Sequence, residues 1–190
     1  MIRTRARVLV LFLLIGTLAG CTSLSAGEPS PDDAVVPSTE QPGTTSSAQP
    51  TRPRELPLDN VDPCTLLPQA DYADYYLDKP GKAGTTDKGA ADCLWSGDVG
   101  YMAVALVTYE GVEAQEDRFG ELAPTEPIDD FPTYTITLPN DENACSIAVD
   151  VADGQYLYSQ VGLDARPAEV TSVCDYARQF AASIMSTLLK

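Results

Sequence analysis

The chain has 190 residues, with 12 Lys+Arg, 28 Asp+Glu, no histidine and a formal net charge of −16. A surface this acidic repels nucleic acid and anionic lipid headgroups, and neither is expected as a binding partner. The missing histidine excludes Ser-His-Asp and Cys-His catalytic arrangements, and with no Cys-x-x-Cys it argues against a zinc site.

The N-terminus opens on Arg3, Arg5 and Arg7 and continues as the apolar run Val8 to Ile15, the form of an export signal. Gly16, Thr17 and Gly20 dilute this run, which is shorter than the roughly 20 residues of a membrane-spanning helix. It closes on Leu18-Ala19-Gly20-Cys21, where slim side chains precede a cysteine. The tetrad resembles the lipobox of bacterial lipoproteins. That resemblance implies that residues 1–20 are a signal peptide and that Cys21 becomes the first mature residue, its thiol carrying a diacylglyceryl group. One acyl chain binds a membrane only marginally, while a second makes the anchor durable, at about 0.8 kcal/mol per buried methylene. The expected location is the outer face of the bacterial cell membrane. Without the three signal arginines, nine Lys+Arg stand against 28 Asp+Glu, a charge near −19.

Residues 21–57 are rich in Ser, Thr, Pro, Gly, Ala and Gln, with too little apolar content to offset the entropy of ordering. They read as a tether; a flexible coil of roughly 35 residues reaches about 30–35 Å. Residues 58–190 are of ordinary size for one domain.

In that domain Asp62-Pro63 is a helix start, with Asp as N-cap and Pro at the first helical position. A short turn over Cys64 to Leu67 follows, and after Pro68 a helix is predicted over Gln69 to Leu77, ending before Lys79-Pro80-Gly81. Gly84 to Gly89 reads as loop. The sheet is expected to begin at Cys93-Leu94-Trp95 and, after a turn at Gly97 to Gly100, to continue as Tyr101 to Tyr109. That strand is apolar on both parities, as a central strand covered on both faces would be. A weaker helix is predicted over Gly111 to Leu122, on the spacing of Val112, Phe119 and Leu122. Tyr134, Ile136 and Leu138 alternate with Thr133, Thr135 and Thr137 as a half-buried strand. Cys145 to Val151 and Gln155 to Val161 read as a hairpin around Asp153-Gly154. A two-residue turn there pairs Val151 with Tyr156 and Val149 with Tyr158, placing both tyrosines on the valine face. Pro167 to about Leu189 is a long helix with one apolar stripe from Val170 through Phe180 to Leu188. The expected class is α+β, an antiparallel sheet of about five strands packed by N-terminal and long C-terminal helices.

With Cys21 assigned to lipid, Cys64, Cys93, Cys145 and Cys174 remain, and four cysteines allow three connectivities. The intervals Cys64 to Cys93 and Cys145 to Cys174 are equal in length, and each joins a predicted helix to a predicted strand, so Cys64–Cys93 and Cys145–Cys174 are the expected bridges. Each would be worth about 3.5 kcal/mol in the chain-entropy treatment.

No cysteine is then left as nucleophile, and Gly-x-Ser-x-Gly, Gly-Lys-Ser/Thr and dinucleotide fingerprints are absent. The remaining catalytic option is a carboxylate pair drawn from Asp129, Asp130, Asp141, Glu142 and Asp150. The same acidic loops are the option for calcium, without the spacing of an EF-hand. Tyr72, Tyr75 and Tyr76 could form a recognition surface, although their helical spacing suits packing equally.

Asp62-Pro63-Cys64-x-Leu66-Leu67, then Cys93-Leu94-Trp95, a strand pair begun by Cys145 and a closing helix with Cys174 follow the lipobox and tether in order. This pattern resembles the actinobacterial lipoproteins of the DUF3558 family over nearly all of the domain. One departure stands out: Asp129-Asp130-Phe131-Pro132 occupies the place of an expected glycine-rich turn. The family carries no assigned function. The expectation is therefore a membrane-anchored, non-catalytic module without cofactor or metal, binding an envelope protein or a small ligand. The alternatives are a cell-wall hydrolase using paired carboxylates and a purely structural lipoprotein.

Overall fold

Among the described residues, seven strands pair antiparallel throughout in a single sheet, in the order β1-β2-β3-β7-β6-β5-β4. They are β1 (Lys82–Thr85), β2 (Ala91–Gly97), β3 (Gly100–Val107), β4 (Leu122–Ile128), β5 (Phe131–Ile136), β6 (Ala144–Ala152) and β7 (Gln155–Leu163), followed by the helix α1 (Val173–Leu188). The computed structural model describes residues 51–115, 118, 121–137 and 141–190. The expected signal segment, Cys21 and the expected tether as far as residue 50 lie outside the described residues, as do Phe119 and Leu138.

The sheet thus has seven strands where about five were expected, and the two additions are its edges. Lys82–Thr85, of which only Gly84 and Thr85 fall in the segment read as loop, is a fully exposed strand held to β2 by main-chain pairing. Leu122–Ile128 was not foreseen as a strand because Pro124 and Pro127 interrupt it, and proline is tolerated only where one side of a strand faces no neighbour. The predicted helix over Gly111 to Leu122 is reduced to a 3-10 turn at Val112–Gln115, with Leu122 already in β4. The N-terminal helices are likewise 3-10 turns, at Pro63–Thr65 and Gln69–Tyr75. Asp62 caps the first, its carboxylate accepting from Cys64 N at 2.9 Å. Tyr76 ends the second in left-handed backbone, and Leu77 then bridges to Gly97. Gly97 is required there, since a Cβ would lie 2.1 Å from the Tyr76 carbonyl oxygen.

Helix α1 covers one face of the sheet. It starts at Val173 rather than Pro167 because Ser172, in extended conformation, caps it by accepting from Asp175 N at 3.2 Å. Its stripe of Val173, Ala177, Phe180, Ala181, Ile184 and Met185 is buried against Ile147 and Val149 of β6, Leu157 and Val161 of β7, and Trp95 of β2. Each large apolar side chain buried there contributes roughly 1.5–3 kcal/mol. Two disulfides join helical elements to this layer. Cys64–Cys93 ties the first 3-10 turn to β2, and Cys145–Cys174 ties β6 to the first turn of α1, each closing a separation of 29 residues.

The β6–β7 register differs from the expected one. Asp150 pairs with Tyr156, Ala148 with Tyr158 and Ala152 with Gln155, with a register shift between Asp150 and Ala152. Only Gly154 of the turn pair takes positive φ, +67°, so the turn is not the symmetrical primed type and the extra residue is absorbed as a bulge. A slip of one residue moves every side chain to the other face. Tyr156 and Tyr158 therefore point away from Val149, Val151 and α1, into a second, smaller cluster with Ala105, Val107, Tyr134, Ile136 and Ala148.

Among the described residues the chain meets the sheet from Arg52 onward, ahead of the 57/58 boundary suggested by composition. Leu56 N donates to Val151 O at 2.8 Å, Leu58 N donates to Gln155 Oε1 at 2.8 Å, and Leu58 is buried.

Candidate functional site

The face opposite α1 carries a groove of about 590 Å³, within the range of small-molecule sites. Its floor is Ala105 and Val107 of β3 with Tyr156, Tyr158 and Gln160 of β7. The bulge puts the tyrosines there, and the cross-strand pairs Val107–Tyr156 and Ala105–Tyr158 set a small side chain beside each ring. Tyr109, just past β3, adds an aromatic wall that is 46% exposed.

Two short turns make the other walls. Thr86, Asp87 and Lys88 connect β1 to β2, and the Thr86 hydroxyl accepts from Ala90 N at 3.0 Å while Gly89 N donates to Thr86 O at 2.8 Å. Across from them, the Val112–Gln115 turn delivers Gln115 and, just after it, Arg118. Arg118 forms a two-pronged ion pair with Glu110.

Gln115 is the informative residue. It is only 4% exposed; its Nε2 donates to the Tyr156 hydroxyl, and its Oε1 is buried with no partner among the described residues. A buried acceptor left unmatched costs roughly 1–3 kcal/mol, so its presence in a groove wall is unexplained by folding. Tyr156, having accepted from Gln115, keeps its own hydroxyl proton for another acceptor.

Burial dominates the electrostatics of the floor. It pushes the Tyr156 phenol up to about 12, against the Gln115 hydrogen bond, and raises Tyr158 against its 2.8 Å bond to Ser146 Oγ. At the rim, the hydrogen bond from Arg118 holds Glu110 below the ordinary carboxylate range, with the charge of Lys88 acting the same way. Both phenols are neutral at physiological pH, so the groove offers hydroxyls rather than phenolates.

The acids considered for catalysis are dispersed along the chain's turns and strands. Asp129 and Asp130 form the tip of the β4–β5 hairpin, where Ile128 pairs with Phe131. Both have positive φ, 50° and 66°, the backbone of a two-residue primed turn that glycine normally supplies. Asp141 and Glu142 precede β6 at its opposite end, where Asn143 N donates to Asp141 Oδ1 at 3.0 Å. Asp150 is occupied by Arg52, whose Nη1 donates to both carboxylate oxygens at 2.8 and 2.9 Å. Burial nonetheless raises the Asp150 carboxyl, with Arg52 opposing. Among the described residues no group of three His, Cys, Asp or Glu side chains is placed to hold a metal ion.

The Tyr72, Tyr75 and Tyr76 cluster divides. Tyr75 is in the core, with its ring 5.2 Å from Phe180 and its hydroxyl 2.7 Å from Ser183 Oγ. Tyr72 accepts from Trp95 Nε1 at 3.2 Å, and Tyr76 ends a 3-10 turn. They do not form one surface.

Gln115, Tyr109, Lys88, Arg118 and Glu110 were not singled out by sequence. The one available signal was the presence of two cations, Lys88 and Arg118, in an acidic chain.

Comparison with curated proteins and with solved structures gave no match. The family model DUF3558, described as a protein of unknown function, matches residues 16–187, and the chain belongs to that family.

Proposed function

We propose that this protein is a lipid-anchored module on the outer face of the bacterial membrane, held through Cys21, that binds a small ligand in the groove over β3 and β7 without transforming it. The observation that carries the reading is the unmatched Oε1 of buried Gln115 in the wall of a groove with an apolar floor. Few polar groups converging on an apolar cleft is the composition of small-molecule sites.

The anchor rests on the export signal and the Leu18-Ala19-Gly20-Cys21 tetrad. No helix among the described residues is long and apolar enough to cross a membrane. A non-catalytic role is favoured by the separate positions of the acids and by the engagement of Asp150 with Arg52.

The test is a thermal-shift screen of small amphipathic compounds against the protein and its Ala105→Trp variant, whose indole fills the groove. Compounds that bind should raise the melting temperature of the unmodified protein by several degrees and leave the variant unmoved. Equal shifts in both would place binding elsewhere, and no shift with any compound would count against a ligand site.

A further inference from the structure

We infer that the ligand is an N-acylated amino acid, with its amide N–H at Gln115, its carboxylate toward Tyr156 and Lys88, and its acyl chain on the tyrosine and alanine floor. This deepens the proposed binding function and rests on it. Gln115 and Tyr156 are already joined by one hydrogen bond, which fixes what each still lacks. Gln115 Oε1 needs a donor and the Tyr156 hydroxyl needs an acceptor. An N-acylated amino acid in extended conformation supplies both on one side, the amide N–H and an oxygen of the carboxylate that follows it, whereas the N–H and C=O of a single trans amide point opposite ways. An ester or an ionised fatty acid has no donor for Gln115, and a sugar has no acyl chain for the apolar floor.

The remaining groups define what flanks the amide. Ala105, Val107 and the ring of Tyr158 form an apolar bed, as an acyl chain requires. On the rim, Arg118 is engaged by Glu110, whereas Lys88 is exposed and makes no ion pair among the described residues. In a chain of net charge −16, a lysine at a groove mouth selects a carboxylate over a neutral terminus. The groove's volume of about 590 Å³ accommodates a compound of this size.

The test uses the full chain reconstituted in lipid nanodiscs, with empty discs as blank, and calorimetric titration with three probes. They are N-hexanoylglycine, its ester counterpart O-hexanoylglycolate, which lacks only the N–H, and the methyl ester of N-hexanoylglycine, which lacks the charge. The amide should bind about tenfold more tightly than the ester, the effect of one hydrogen bond to a buried acceptor. Gln115→Met should bring the two within about twofold, with its melting temperature confirming that it folds. Lys88→Ala should remove the preference for the free acid over the methyl ester. Equal affinity of amide and ester overturns the amide assignment and leaves the groove as a binding site. No binding of any probe overturns the acyl amino acid assignment, and the thermal-shift screen against Ala105→Trp decides the groove separately.

Discussion

Tyr156 of β7 pairs directly with Asp150 of β6, not with Val151, and this one-residue offset creates the groove. It turns two tyrosines from the helix-covered face to the face where Gln115 meets them. The offset follows from the bulge before Gly154, so the hairpin turn decides which face of the sheet carries the aromatic floor.

The phenols record that burial. Tyr156 and Tyr176 are both pushed up to about 12 by desolvation, from an ordinary value of 10.0. A group with a raised folded-state pKa contributes stability that is intact below its unfolded value and is lost as pH rises through the folded one. Unfolding free energy should therefore fall between about pH 10 and pH 12, and spectrophotometric titration should show late-ionising phenols, Tyr156 and Tyr176 among them. Tyr156→Phe should remove one of them and lessen the alkaline loss. Ionisation of every tyrosine near the ordinary value would contradict the buried floor.

Arg52 fastens the incoming chain to the β6–β7 hairpin through Asp150, Asp153 and Glu55. Arg52→Ala should cost about 1–2 kcal/mol at neutral pH, mostly through the half-buried, two-pronged bond to Asp150. Burial raises the Asp150 carboxyl and Arg52 opposes that rise, so removing Arg52 shifts it further upward. The difference between the two proteins should be complete above that raised value and vanish in acid, where Asp150 is protonated in both. Urea denaturation at neutral and acidic pH measures this directly; a difference independent of pH would mean that the guanidinium acts through packing alone.

Asp130→Gly should stabilise the protein. Asp129 and Asp130 both hold left-handed backbone, where Asp-Gly is preferred at a primed turn. Relief of that conformation is worth roughly 0.5–1 kcal/mol, an increase of a few degrees in melting temperature. Ligand binding in the groove should not change. Destabilisation by this substitution would mean that the Asp130 side chain makes an interaction stronger than the backbone cost.

Cys21→Ser should move the protein from the membrane fraction to the soluble extracytoplasmic fraction, since without the thiol no diacylglyceryl group can be attached. Detergent-phase partitioning of the two proteins reads the outcome. Unchanged partitioning would remove the basis for a lipid anchor.

The parts of the fold visible in sequence were those written in side-chain periodicity. The two-sided apolar pattern of Met102 to Val107 marks an interior strand, and the stripe from Val173 to Met185 marks the covering helix. The two edge strands were hidden because edges need no such pattern. Lys82–Thr85 is exposed at every residue, and β4 contains two prolines. Register was hidden for a different reason: Asp153-Gly154 announces a turn but does not say whether a bulge precedes it. That single ambiguity also concealed the site, because Tyr156 reaches Gln115 only from the bulged register. Gln115 itself sits in a short 3-10 turn with no motif, and its role arises entirely from the strand it leans on.

Hydrogen-exchange mass spectrometry with and without a compound from the thermal-shift screen is the most direct measurement of the central claim. Binding in the groove should protect peptides containing Thr86 to Lys88, Ala105 to Gln115 and Tyr156 to Gln160, and leave α1 unchanged. Protection confined to Tyr72 to Tyr76 and the exposed side of α1, or none with a compound that raises the melting temperature, would contradict it.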